Sequence, residues 1–112
     1  MIKEALLAIL LAQESPNGEM VGDHGRAVGR LQITQAAVDD VNQYTGLHFT
    51  LIQMRDLEIA KFVCYTWLAH YEPLVERKFG RALNDRDRAR LWNRGYKGML
   101  RYHGLRPRRS GP

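Results

Sequence analysis

The sequence has almost no cysteine and no cluster of metal-binding side chains. Its single cysteine, Cys64, excludes an intrachain disulfide, and no base lies near it in the sequence, so we expect a buried, inert thiol. The four histidines are far apart, and neither a His-x-x-x-His motif nor a cysteine pair occurs. We therefore assign no metal ligand and expect no cofactor.

Long hydrophobic runs, internal repeats, low-complexity segments and linkers are also lacking. The 112 residues, 45% apolar and 26% charged, are typical of one soluble globular domain, so we expect a single domain over residues 1–105 and a basic flexible tail over 106–112. The apolar run at 5–12 is short, and Glu4 interrupts the basic start. We interpret it as a packed first helix, and we expect no signal peptide and no transmembrane segment.

Acidic residues are scarce in the second part of the chain and end at Asp87. Residues 1–72 carry five Lys and Arg against nine Asp and Glu, whereas residues 73–112 carry twelve against three. A basic region of this kind favours a polyanionic partner, which could be nucleic acid, a phospholipid surface, or the anionic polymers of a bacterial wall. A solvated basic face that only aids solubility is an equally good interpretation.

Apolar spacing predicts a mainly α fold, a compact multi-helix domain with a glycine-rich loop or small hairpin after the first helix. The first helix spans residues 2–15 and the loop 17–33. Thr34 is the predicted N-cap of a second helix that runs through Gln43, with Gly46 as its C-terminal stop.

The second half of the chain is predicted to be helical throughout. A central buried helix begins near residue 57, Pro73 starts a new short helix through Phe79, and Gly80 closes it. Asn84 or Asp85 caps the next helix, which runs to about Trp92. Gly95 and Gly98 are expected to break the chain before a last short helix over 99–102.

A carboxylate at the end of the first helix is the strongest chemical signal in the chain. Glu14 is followed by Ser15, and a negative charge at a helix C-terminus opposes the helix dipole, so an acid there costs stability. Loss of solvent on one side raises a carboxyl pKa, which lets a glutamate act as a general acid near neutral pH. This is the chemistry of a glycosidase.

Three motifs in order give the chain a family resemblance. Glu14-Ser15, Gly29-Arg30-Leu31-Gln32-Ile33 and Ala89-Arg90-Leu91-Trp92-Asn93-Arg94-Gly95 resemble the pattern of the lysozyme superfamily, in particular its soluble lytic transglycosylase and goose-type lysozyme branch. The resemblance covers roughly residues 2–98. It implies an α+β lysozyme-like catalytic domain that cleaves the β-1,4 bond between N-acetylmuramic acid and N-acetylglucosamine in peptidoglycan.

The resemblance also implies roles for individual residues. Glu14 is the general acid and base, and Ser15 contacts this glutamate or the sugar. Gly29 lets the backbone approach the glycan, and Gln32 offers an amide to sugar hydroxyl or acetamido groups. The motif at 92–93 contributes Trp92 and Asn93 to substrate binding.

Position 92 departs from the family pattern. The family usually has a tyrosine there, whose hydroxyl bonds the catalytic glutamate, whereas Trp92 offers only an indole N–H. This tryptophan can also wall off Glu14 from water, stack on a sugar face, or simply belong to the core.

Asp23 leaves two interpretations open. It is the second carboxylate of a hydrolase that uses water, or it is a turn residue of the Gly-Asp-x-Gly type. In the second case the resemblance implies a lytic transglycosylase, in which the muramyl C6 hydroxyl is the nucleophile.

Two rival functions also stay open. One is a glycan-binding module on the same fold without turnover, and the other is a small basic nucleic-acid-binding protein. A wall-active protein of this kind acts in the periplasm, outside the cell, or after delivery by a phage.

Overall fold

The computed structural model of the protein describes residues 4–15, 21–22 and 26–102. Asp23 and the predicted tail at 106–112 lie outside these residues. The elements follow one another in this order: α1 (Glu4–Glu14), β1 (Val21–Gly22), β2 (Ala27–Val28), β3 (Ile33–Thr34), α2 (Gln35–Thr45), a 3₁₀ helix (Leu51–Arg55), α3 (Leu57–Phe79) and α4 (Asp85–Tyr102). The expectation of a mainly α chain with a small hairpin after the first helix is confirmed.

The glycine-rich segment forms a small antiparallel sheet with strand order β1-β2-β3. Each strand has only two residues, and Val28 pairs with Ile33 across the β2–β3 turn. The apolar side chains of this segment face the core: Ala27, Val28, Leu31 and Ile33 are all buried. The sheet is held by this packing more than by its few ladder hydrogen bonds.

Helix α2 begins and ends as its terminal residues predict. The hydroxyl of Thr34 accepts a hydrogen bond from the Ala37 backbone N–H, which caps the helix. Gly46 stops it with a left-handed φ of 75° and donates its N–H to the Asn42 carbonyl. The helix therefore ends at Thr45, two residues later than expected.

Helix α3 is a single helix of 23 residues, so the prediction that Pro73 starts a new helix is wrong. Pro73 is exposed to solvent, and water can bind the carbonyl that its missing N–H leaves unpaired. Asp56 caps the start of α3 through the N–H groups of Glu58 and Ile59, and Gly80 ends it with a φ of 72°.

Helix α4 is interrupted once, at Gly95. Its φ of 74° and ψ of 171° divide the helix into a segment before Gly95 and a segment after it, as predicted for this glycine. The expected break at Gly98 is wrong, because the second segment is helical there. Asn84 is the N-cap, since its side-chain oxygen accepts the Asp87 backbone N–H at 2.9 Å.

The core lies between α3 and the other elements. Its fully buried members include Leu10, Leu31, Val41, Val63 and Leu91. Because α1 packs against α4 and α2 against α3, the C-terminal end of α1 comes to lie beside the middle of α4. No helix in the described part of the chain is long and apolar enough to cross a membrane.

Candidate active site

A cavity of about 420 Å³ opens where the end of α1 meets the small sheet, α2, α3 and α4. This volume is within the range of about 300 to 1,000 Å³ that is typical of small-molecule sites. The lining combines two carboxylates, amides and two indoles with small apolar side chains: Glu14, Ala27, Gln32, Thr34, Ala36, Ala37, Asp40, Trp67, Trp92, Asn93, Arg94 and Gly95. Four of the residues predicted from the sequence, Glu14, Gln32, Trp92 and Asn93, are therefore brought to one cavity.

Glu14 is half-buried at the last residue of α1, where it faces this cavity. Its Oε2 accepts hydrogen bonds from the side-chain amides of the adjacent Gln13 and of Asn93, the second at 3.3 Å. Partial burial raises the pKa of Glu14, and the two amide donors oppose that shift without cancelling it. The carboxyl therefore holds its proton to higher pH than an exposed glutamate, as a general acid requires.

The side chain of Gln13 fixes the position of this glutamate. Its amide also donates to the backbone carbonyl of Ala89, at 2.9 Å, and so joins the end of α1 to α4. Asn93 lies one turn further along α4, just before the break at Gly95. The contact between Glu14 and Asn93 joins residues 79 apart in the chain.

Gln32 is held by an unusual turn between β2 and β3. Its φ is 52°, which is uncommon for any residue other than glycine. Both its backbone N–H and its side-chain amide donate to the carbonyl of Gly29, at 3.0 and 2.8 Å. The turn thus holds the amide side chain of Gln32 at the cavity, and no described residue donates to its amide oxygen.

The two tryptophans both line the cavity. Their rings meet edge to face with centroids 5.4 Å apart. The indole of Trp92 donates to the Leu31 carbonyl at 3.0 Å, so it does not bond Glu14. The donor that α4 offers to the glutamate is the neighbouring Asn93, and Trp92 contributes an apolar wall. Trp67 belongs to the core, and it lines the cavity as well.

Two predicted site residues lie outside the cavity lining. Ser15 is buried, and its hydroxyl donates to the Arg30 carbonyl at 2.8 Å, which ties the end of α1 to the β2–β3 turn. Gly29 packs on the 3₁₀ helix, where an added Cβ would lie 2.0 Å from the Met54 carbonyl oxygen. Both residues support the β2–β3 turn that carries Gln32, and neither of them lines the cavity. Asp23 lies outside the described residues.

Asp40 and Arg94 were not singled out from the sequence, although both line the cavity. Asp40 follows the equally acidic Asp39 on α2, and nothing in the sequence separates the exposed aspartate from the one that faces inward. Arg94 lies within the third motif, directly after Asn93, and this position was the available signal.

Among the described residues, no group of three or more His, Cys, Asp and Glu is arranged to hold a metal ion. Burial, and to a smaller extent the charge of Glu14, raises the pKa of the Cys64 thiol, in keeping with an inert core cysteine. Comparison of the chain with protein-family models, with curated proteins and with solved structures finds no match.

Proposed function

We propose that the protein is a peptidoglycan-cleaving glycosidase, a muramidase or lytic transglycosylase, in which Glu14 is the general acid and base. The observation that carries the proposal is the convergence of Glu14, Gln32, Trp92 and Asn93 on one cavity. These residues come from three separate motifs whose order led to the resemblance with lysozyme-like proteins. A partly desolvated carboxyl and residues of both other motifs thus share one cavity, which is the arrangement that the proposal requires.

In this proposal the substrate is a β-1,4-linked glycan of N-acetylmuramic acid and N-acetylglucosamine. Glu14 donates its proton to the glycosidic oxygen while the bond between that oxygen and the anomeric carbon breaks. Its raised pKa, which follows from partial burial, keeps this proton available, and Trp92 adds an apolar side chain to the lining of the same cavity. The positive charge that develops on the sugar then demands a nucleophile, either water or the muramyl C6 hydroxyl.

The remaining lining residues suit a sugar. The Gln32 amide offers an acceptor to a hydroxyl or acetamido N–H, and the indole of Trp92 adds apolar surface to the cavity lining. Arg94 adds a cationic group at the cavity, to which lactyl or peptide carboxylates of the wall are complementary. No cofactor takes part in the proposed reaction, whose place is the periplasm or the outside of a bacterial cell.

Digestion of purified peptidoglycan by the wild-type protein and by Glu14→Gln tests this proposal. Glu4→Gln is the matched control, because Glu4 is an exposed carboxylate at the other end of the same helix. We expect wild type and Glu4→Gln to release muropeptides at equal rates, and Glu14→Gln to be at least ~10³-fold slower. Mass analysis of the products distinguishes reducing ends from anhydro ends, which are lighter by one water.

The remaining outcomes contradict the proposal in distinct ways. Binding of glycan by wild type without any release would show a binding module instead of an enzyme. Salt-sensitive binding of duplex DNA without glycan binding would favour a nucleic-acid-binding protein. Equal release by Glu14→Gln and wild type would exclude Glu14 as the acid.

A further inference from the structure

A second carboxylate, Asp40, lines the same cavity as Glu14 but comes from a different wall. Glu14 lies at the end of α1, whereas Asp40 lies in the middle of α2, six residues after the capping residue Thr34. Asp40 is only partly exposed. A pair of carboxyl groups on separate walls of one cavity is the arrangement with which glycosidases divide acid and base roles.

Among the described residues, Asp40 has a hydrogen-bond donor but no cation as a partner. Oδ2 accepts a hydrogen bond from the indole N–H of Trp67 at 3.2 Å, whereas no described residue hydrogen-bonds Oδ1 and no described cation pairs with the group. Trp67 is buried in the core and packs edge to face on Trp92. The carboxylate is thus positioned by a rigid neutral donor, and one oxygen remains to accept from a ligand or water.

The neighbouring Asp39 shows what a purely structural aspartate on this helix does. Asp39 is exposed, and its Oδ1 accepts from the Gln35 side chain at 2.8 Å, one turn earlier on the helix surface. That pair is an ordinary intrahelical contact outside the cavity. The two consecutive aspartates therefore differ in direction, and only Asp40 faces the substrate space.

We propose that Asp40 is the general base of the reaction and makes the protein a hydrolase; this inference rests on the function proposed above. Oδ1 of Asp40 takes a proton from a water molecule, and the water oxygen forms a bond to the anomeric carbon of the muramyl residue. The bond from that carbon to the glycosidic oxygen breaks, and Glu14 gives its proton to the departing oxygen. Asp40 ends protonated and Glu14 ionised, and one transfer of a proton to and from solvent restores both.

Trp67 is a positioning residue in this scheme. Its N–H donates to Oδ2 at 3.2 Å and so limits rotation of the Asp40 carboxylate. It does not touch the reacting atoms through that N–H.

The test compares Asp40→Asn with Asp39→Asn on purified peptidoglycan. Asparagine keeps an oxygen that accepts from the Trp67 indole, so Asp40→Asn removes the base with little change in packing. We expect the release of reducing ends to fall by about 10² to 10⁴-fold in Asp40→Asn and to stay unchanged in Asp39→Asn. Binding of the glycan, measured by co-sedimentation with the insoluble wall, should be the same in both.

Sodium azide gives a second readout that a structural role of Asp40 would not produce. The azide anion needs no base, so it should restore cleavage by Asp40→Asn and leave an azide on the anomeric carbon of the muramyl end, detected by mass. It should not restore Glu14→Gln, in which the proton donor is missing.

Four results would overturn the inference. Two concern the variant: Asp40→Asn releases reducing ends at a rate within about threefold of the control, or azide does not restore its activity. Two concern wild type: its products carry anhydro ends, or it releases nothing. Only the last also overturns the proposed function. In the other three, cleavage by wild type and its loss in Glu14→Gln remain, so failure of the inference is distinguishable.

Discussion

Two regions of the molecule hold a carboxylate that is partly or fully buried, and they differ in the hydrogen-bond donors that surround it. At the α3–α4 connection, Asp87 is 2% exposed and is surrounded by donors. The Arg81 guanidinium donates to both of its oxygens, at 2.7 and 3.3 Å, and the backbone N–H of Asn84 donates at 3.1 Å. At the cavity, the described donors to Glu14 are two neutral amides, both on one oxygen.

The difference separates a structural carboxylate from the one proposed to be catalytic. Asp87 exchanges hydrogen bonds with Asn84 in both directions and so caps the first turn of α4. Its charge is matched by a cation and by a helix N-terminus, which favours anions. Glu14 lies at a helix C-terminus, where the helix dipole and partial burial both act against its charge. We therefore expect the charge of Glu14 to lower the free energy of unfolding and that of Asp87 to raise it. Isosteric substitutions in both regions test this contrast.

The largest expected effect is a divergence of activity and stability in Glu14→Gln. Peptidoglycan cleavage should fall by at least ~10³-fold, whereas the free energy of unfolding at pH 7 should rise by roughly 0.3 to 1 kcal/mol, because the charge at the helix C-terminus is gone. Paired thermal unfolding and digestion assays measure both. Loss of stability together with activity would show that Glu14 is part of the structural framework.

The pH dependence of that stability gain has a definite sign. Because the pKa of Glu14 is raised in the folded protein, its protonated form contributes stability that is complete below about pH 4.5, its ordinary value, and is lost as the pH rises through the folded pKa. The stability advantage of Glu14→Gln should therefore be present at pH 7 and vanish at pH 4. An advantage of the same size at both pH values would contradict a raised pKa.

Glycines in the two regions should respond very differently to an added methyl group. Gly29→Ala places a Cβ 2.0 Å from the Met54 carbonyl oxygen at a φ of 83°, so we expect a loss of more than ~3 kcal/mol in the free energy of unfolding. Gly80→Ala, at a φ of 72° with nothing within 4 Å of the new Cβ, should cost only about 1 kcal/mol. Urea unfolding measures both; equal losses would mean that the turn behind the cavity adapts freely.

Asp87→Asn should destabilise the protein, the opposite sign from Glu14→Gln. Loss of one capping hydrogen bond is expected to lower the free energy of unfolding by about 1 to 2 kcal/mol, with no change in the rate of wall digestion at temperatures where the variant is folded. Unfolding in urea at pH 7 measures the first, and digestion at 20 °C the second. A variant as stable as wild type would show that Asp87 is also poorly compensated.

Most of the fold follows from local signals in the sequence. Thr34, Gly46, Gly80, Asn84 and Gly95 mark helix ends through capping and left-handed geometry, which depend on neighbours only a few residues away. Pro73 was misjudged because its effect depends on exposure: a proline on the solvent side of a long packed helix leaves a carbonyl that water can satisfy. Exposure is a property of the tertiary fold, and the local sequence does not contain it.

The candidate site divides in the same way. The ordered motifs predicted Glu14, Gln32, Trp92 and Asn93, all of which line the cavity. The direction of each hydrogen bond could not be predicted, and so the bond from Ser15 to the β2–β3 turn and the packing of Gly29 on the 3₁₀ helix were not foreseen. Asp40 was missed because the rotation of α2 about its axis, which is set by the elements packed against it, decides whether Asp39 or Asp40 faces the cavity.

The smallest expected effect concerns the neutral donors that distinguish Glu14 from Asp87. Hydrogen bonds from Gln13 and Asn93 lower the pKa of Glu14 against the effect of burial, and the contribution from Gln13 is the larger. Asn93→Ala should therefore raise that pKa further and move the alkaline limb of the pH–activity profile to higher pH. The bond is long, 3.3 Å, so the maximal rate should fall by no more than about three- to tenfold.

Gln13→Ala should move the same limb in the same direction and further, because it removes the larger of the two opposing contributions. Rates of wall digestion from pH 4 to 9 measure both variants against wild type. A limb that moves to lower pH would contradict this assignment, because it would mean that the amides favour the neutral carboxyl and add to the effect of burial. The cavity would then differ from the α3–α4 connection even in its hydrogen bonds, because the donors at Asp87 keep a carboxylate charged.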